Sequence, residues 1–174
     1  TNVLRSGRKA AAVLTLIGDG LKGWLAVFLA AMYAEPMQAE TLESIAGVAV
    51  IVGHMYPVFF RFQGGKGVST ACGVLFGLNP YLAIGALSTW IVMLVFFRYS
   101  SLAAIVAAFF TPFFTVILFN PAHPYFYCTL AFCTLLLWRH RGNMKKLVAG
   151  TEDKVGRKRA VAPAETSSGQ QDGN

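Results

Sequence analysis

Long apolar runs separated by short polar breaks organise the chain. The apolar stretches cover about 10–33, 42–60, 68–78, 81–97, 102–119 and 124–138. Each predicts a helix, and most approach the roughly 20 residues that a helix needs to cross hydrocarbon. The third run is short enough to be either a crossing or a re-entrant segment. The breaks between runs hold "GHMYPVFFRFQGGKG", Asn79-Pro80, "RYSS" and "NPAHP", and a basic run follows Trp138. The pattern predicts an all-α integral membrane protein with six transmembrane helices.

Composition supports a bilayer setting. The chain is 55% hydrophobic and 13% charged over 174 residues, against about 25% charged in an ordinary soluble domain. Its net charge of +7 points to anionic lipid headgroups rather than nucleic acid. Eight of the fifteen Lys and Arg lie between Arg139 and Arg159, directly after an apolar run, where a cytoplasmic membrane flank carries them. Cys72, Cys128 and Cys133 sit inside apolar runs, with neither a disulfide framework nor metal-ligand spacing.

Charge placement decides between six crossings and five. With six, Arg5, Arg8, Lys9, Arg61, Lys66, Arg98 and the basic C-terminal run all fall on one side. The opposite loops carry Glu35, Glu40 and Glu43 but no cation, and only Lys22 lies within a span. A re-entrant third segment would put the C-terminal run on the translocated side. The positive-inside rule therefore favours six crossings, with both ends and the GGKG loop facing the cytoplasm. Residues 1–150 form the transmembrane domain, and 151–174, charged and then rich in Ser, Gly and Gln, read as a disordered cytoplasmic tail. Thr1 is not a methionine and no signal peptide follows it, which predicts that the natural start lies upstream.

Polar groups inside apolar runs are the candidates for chemistry. Asp19 and Lys22, three apart in "GDGLKG", share a helix face. They form either a structural ion pair or, through Lys22, part of an anion site. His54 closes its helix before Pro57. The GGKG stretch fails the phosphate-loop pattern of nucleotide hydrolases, because Phe60 stands at the first glycine position and Gly67 follows Lys66. Glycine-rich backbone beside a helix start at Val68, with a lysine charge added, is still suited to an anion. In "RHRGNMKK", His140 and Asn143 share a face if the last helix continues to Lys146. Ser100 and Ser101 are candidate N-caps in "RYSSL". Arg5, Lys66, Ser101, His140 and Asn143 would thus converge at one membrane depth.

The stretches "TNVLR", "DGLKG", "GHMYPVFFRFQGGKGVST", "YSSL" and "HRGNMKKLVAGTE" together resemble the bacterial acyl-phosphate:glycerol-3-phosphate acyltransferases. The resemblance runs from Thr1 to about Lys154. It implies a seven-helix enzyme of the bacterial inner membrane, so that six helices here correspond to a chain lacking the first. The implied reaction moves a fatty acyl group from acyl phosphate to the 1-hydroxyl of glycerol 3-phosphate, giving lysophosphatidic acid and phosphate. Lys66 and His140 are the catalytic candidates: Lys66 to stabilise charge on the departing phosphate, and His140, or else a substrate phosphate oxygen, to take the hydroxyl proton. Lys66 would form the phosphate-binding loop with Gly64, Gly65 and Gly67, while Arg5, Ser101, His140 and Asn143 bind glycerol 3-phosphate. Thr1 and Asn2 would shape the pocket, and His54 would support the loop.

No cofactor or metal is implied. The H-x-x-x-x-D pair of coenzyme A-dependent glycerolipid acyltransferases is missing, since Phe59, Cys128 and Lys145 follow His54, His123 and His140 at that spacing. No Ser or Cys has an evident base partner, which disfavours a covalent acyl-enzyme. The alternative reading is a membrane transporter of a small phosphate ester.

Overall fold

The computed structural model describes residues 9–156, and these are helical throughout their ordered elements. In chain order the helices are α1 (Lys9–Tyr33), α2 (Ala39–Met55), α3 (Val68–Leu78), α4 (Pro80–Phe97), α5 (Ser100–Leu118), α6 (Pro124–Arg139) and α7 (Arg141–Val148), with a single 3-10 turn at Val58–Phe60. All six apolar runs become helices. Pro57 ends α2 earlier than the expected 60, because it lacks the N–H that would continue the ladder.

The expected six crossings are not matched by six long spans. Among the described residues four helical stretches are long and apolar enough to cross a bilayer: Ala10–Tyr33, Ala39–Phe60, Pro80–Phe97 and Ser100–Leu118. Helix α3 has 11 residues and α6 has 16, which at about 1.5 Å per residue fall short of a hydrocarbon core of about 30 Å.

The short helix α3 survives because its neighbours enclose it. It lies against α1, α4 and α2, and Val74, Leu75 and Leu78 join Val27, Ile51 and Leu82 in the core. Between α1 and α3 the backbones nearly touch. A Cβ on Gly73 would lie 1.9 Å from the Gly20 carbonyl oxygen, and one on Gly23 would lie 2.3 Å from that of Thr70. Gly73 and Gly77 form a G-x-x-x-G face, the kind of small-residue stripe by which helices pack closely in lipid. Helix α5 offers a comparable face of Ala103, Ala104, Ala107 and Ala108 and packs between α4 and α6.

The turn between α3 and α4 follows directly from its sequence. Asn79 caps α4 by accepting from the N–H of Tyr81 at 2.9 Å, and Pro80 occupies the first turn. His123 and Pro124 repeat the arrangement at the start of α6, where the Tyr125 N–H donates to His123 Nδ1 at 3.2 Å. At the same end of the bundle His123 Nε2 lies 3.1 Å from Glu40, and the Tyr125 hydroxyl donates to Glu43, so α2 and α6 are joined by polar contacts there. These two corners lie opposite the end that carries the GGKG loop.

Candidate functional site

The GGKG loop is folded back onto the end of α2. Arg61 and Phe62 make the turn with φ of 53° and 59°, a left-handed pair that side-chain-bearing residues adopt only at a cost. The Phe62 N–H donates to the Pro57 carbonyl at 3.0 Å, and the Gly64 N–H donates to that of Met55 at 3.2 Å. The loop amides are therefore not all free for an anion, since Gly64 has already used its donor. A Cβ on Gly64 would lie 2.0 Å from the His54 carbonyl oxygen, and one on Gly65 would lie 2.2 Å from His54 Nε2. Gly67 opens α3 at φ 80°, and its carbonyl accepts the first helical bond, from Ala71, at 2.8 Å.

His54 is held as well as packed. Its Nδ1 lies 2.6 Å from Lys22 Nζ, which is itself 2.7 Å from Asp19. The Asp19–Lys22 pair therefore ties α1 to the ring that rests on Gly65. The pair thus has a bracing role, with its lysine engaged by His54.

Arg139 grips the loop from the opposite side. It donates to the Gly64 carbonyl at 2.7 Å and to that of Gly65 at 3.1–3.2 Å. Its guanidinium also lies over the Tyr56 ring, 5.4 Å from the centroid. Sequence reasoning placed Arg139 in a membrane-anchoring flank and missed this contact.

The polar side chains then form one connected chain. Lys66 Nζ donates to Asn143 Oδ1 at 2.7 Å, and Asn143 Nδ2 donates to Glu152 at 2.7 Å. Ser101 Oγ donates to the same Glu152 oxygen at 2.6 Å. Lys66, Asn143 and Ser101 are thus brought together, from the GGKG loop, α7 and α5. Glu152, which joins them, was missed as a site residue. The signal was available, since "GTE" follows the H-x-x-N pair and sets a carboxylate among cations.

Three details differ from expectation. The last helix breaks at His140, so His140 and Asn143 do not share a continuous helix face: α6 ends at Arg139 and α7 begins at Arg141. Tyr99, not a serine, is the N-cap of α5, and it makes no side-chain cap bond. The described part of the expected tail, residues 151–156, is held at Glu152 and at Val155, whose N–H donates to the Arg98 carbonyl at 2.7 Å. Arg5, Thr1 and Asn2 lie outside the described residues.

His140, at the break, is 2% exposed. Its Nδ1 lies 2.8 Å from the Leu136 carbonyl. A carbonyl only accepts, so Nδ1 carries the proton and Nε2 holds the lone pair in the neutral ring. Burial lowers the pKa below the ordinary 6.5, and Lys66 and Arg139 push the same way, while the Leu136 bond and Glu152 oppose. The ring is neutral at pH 7 and suited to accept a proton at Nε2.

The family model for glycerol-3-phosphate acyltransferase matches residues 1–150. The chain belongs to the glycerol-3-phosphate acyltransferase family. A member from Burkholderia ambifaria is 53% identical over 174 residues, covering 99% of this chain and 79% of its own length. One from Burkholderia multivorans is 55% identical over 163 residues, covering 93% and 76%. Among solved structures, PlsY, an integral membrane glycerol 3-phosphate acyltransferase, superposes in its glycerol 3-phosphate form with a TM-score of 0.83 and 34% identity. That match covers 89% of this chain and 76% of PlsY. The lysophosphatidic acid form of PlsY gives a TM-score of 0.82. Membership of an acyltransferase family sets the transporter alternative aside.

Proposed function

We propose that this protein transfers a fatty acyl group from acyl phosphate to the 1-hydroxyl of glycerol 3-phosphate at the cytoplasmic face of a bacterial inner membrane. The observation that carries the reading is the chain Lys66–Asn143–Glu152–Ser101, assembled from three separate segments beside a glycine-rich loop. Family membership gives that assembly its substrate, glycerol 3-phosphate, and the cationic, amide-rich loop suits a phosphate. Gly64, Gly65 and Gly67 shape the loop, and His54 and Arg139 clamp it from its two sides. Arg5 completes the charge around glycerol 3-phosphate, with Thr1 and Asn2 shaping the pocket beside it.

In the proposed reaction the glycerol hydroxyl oxygen attacks the acyl carbonyl carbon. The bond from that carbon to the phosphate oxygen breaks, and inorganic phosphate leaves with the electron pair. Lys66 stabilises the departing charge. The hydroxyl proton passes to His140 Nε2, the one ring nitrogen left with a lone pair. The donor arrives already activated, so no covalent acyl-enzyme is needed.

The test is donor choice. Purified full-length protein given glycerol 3-phosphate should form lysophosphatidic acid from palmitoyl phosphate and not from palmitoyl-coenzyme A, with no loss of rate on adding a chelator. Equal rates from both donors would overturn the donor assignment. The same assay across pH reads the base. A base must be neutral to act, so activity should hold down to the ordinary histidine value of 6.5 and fall only below it. That acid limb should vanish in a His140→Gln variant with residual activity, and its persistence there would move the role to another group.

We also propose six crossings, with α3 and α6 sheltered by longer neighbours. Cysteines introduced at Lys66 and Lys154 in a cysteine-free background should resist an impermeant thiol reagent in intact cells, while one at Glu40 should react. Labelling at Lys66 would refute the topology.

A further inference from the structure

Helix α4 ends on a residue that glycine would serve more cheaply. Arg98 adopts φ 62°, in the left-handed region where any side chain is strained and glycine is not. The arginine side chain is nonetheless in use. Its Nη2 donates to the Val155 carbonyl at 3.1 Å, while the Arg98 carbonyl accepts from the Val155 N–H at 2.7 Å. One residue thus holds both polar groups of Val155. Gly156 follows at φ 83°, and a Cβ there would come within 3.2 Å of the same Nη2.

This grip sets a register. With Arg98 against Val155, the next pair is Tyr99 against Lys154, whose Nζ lies 5.4 Å from the Tyr99 ring centroid. Two residues further, Ser101 meets Glu152, with Oγ donating at 2.6 Å. The segments 98–101 and 152–155 therefore run antiparallel and in step. That step delivers the Glu152 carboxylate to both Ser101 and Asn143, and it orients the Asn143 amide so that its oxygen, and not its nitrogen, faces Lys66.

We propose that Arg98 is a positioning residue for acyl transfer. It locks the register of the segment after α7 so that Glu152 can align Asn143 and Ser101 with the Lys66 ammonium. The inference rests on the acyltransferase reading above and adds to it a residue about which the sequence said only that it follows the positive-inside rule. Glu152 holds the network together at its centre, and Arg98 fixes where that centre lies. Losing the grip leaves every member of the network in place but frees the carboxylate to slide, so the effect should fall on the polar substrate.

The test uses the full-length enzyme in lipid nanodiscs and the variant Arg98→Gly. Glycine relieves the left-handed backbone, so Tm should not fall. The KM for glycerol 3-phosphate should rise about 10-fold while that for acyl phosphate stays unchanged. Val155→Pro removes the N–H from the other side of the grip and should produce the same KM change, and the double variant should be no worse than either single one. Hydrogen exchange at the Val155 amide should accelerate in Arg98→Gly, a readout that needs no turnover. A wild-type KM for glycerol 3-phosphate in Arg98→Gly would overturn the inference, as would a joint fall in Tm and rise in both KM values. Additive losses in the double variant would overturn it too. Wild-type protein that makes no product would instead defeat the acyltransferase reading, and Val155 exchange would still report whether Arg98 sets the register.

Discussion

Replacing Lys66 with alanine is expected to lower kcat/KM by about 30-fold or more without preventing insertion or folding. A phosphomonoester carries about −1.5 to −2 charge near pH 7. Removing one cation from a partly desolvated ion pair costs on the order of 2–4 kcal/mol, and each 1.4 kcal/mol or so is a factor of ten in rate. In the folded chain Lys66 is half-buried and donates to Asn143, so it is already directed into the polar network. The matched variant Asn143→Ala should lose less, because the ammonium keeps its charge when its orienting acceptor is gone. Steady-state kinetics on both variants, with thermal unfolding to confirm folding, decides the matter. Near wild-type kinetics for Lys66→Ala would remove this residue from the mechanism.

A single methyl group at Gly64 should be nearly as damaging as losing the lysine charge. The added Cβ would meet the His54 carbonyl at 2.0 Å and the Met55 carbonyl at 2.7 Å. Both are backbone atoms at the end of α2, and neither can yield as a flexible side chain can. The loop must lift away, pulling against the three Arg139 hydrogen bonds and carrying Lys66 with it. A displacement of about 1 Å can cost on the order of 100-fold in rate, so Gly64→Ala should lose activity on that scale while still purifying as a folded protein. Gly142→Ala supplies the control. No described residue lies within 4 Å of its added carbon, and alanine favours the helix it sits in, so activity and stability should be retained. Wild-type activity in Gly64→Ala would show that the loop is not held as described.

The helices were legible because apolar runs and their breaks are local facts. Asn79-Pro80 and His123-Pro124 mark helix starts by the chemistry of two adjacent residues, and the structure uses them that way. What was not legible depended on distance. That α3 would be sheltered rather than long is not visible in its own eleven residues. It follows from Gly20 and Gly23 on α1 meeting Gly73 and Thr70 across more than forty positions of chain. The site divides in the same way. Lys66 and the glycines stood out, since a charge between glycines amid apolar sequence has few explanations. Arg139 and Arg98 were hidden because a basic membrane flank accounts for any single arginine in it. Only the carbonyls that they contact separate the two roles. Whether the last helix runs on past His140 was left open by the sequence; the structure breaks it there, with the buried ring bonded back to Leu136.

Helices α3 and α4 meet at a common corner at Asn79-Pro80, where α3 ends and α4 begins, and they have 11 and 18 residues. At about 1.5 Å per residue, α3 stops roughly 10 Å before its neighbour does. In the proposed topology that difference sets the GGKG loop, which leads into α3 at Val68, below the level that α4 reaches. In the proposed reaction glycerol 3-phosphate comes to that level from water, and acyl phosphate comes to it sideways through the leaflet. On that proposal the two substrates would meet there without either leaving its solvent completely.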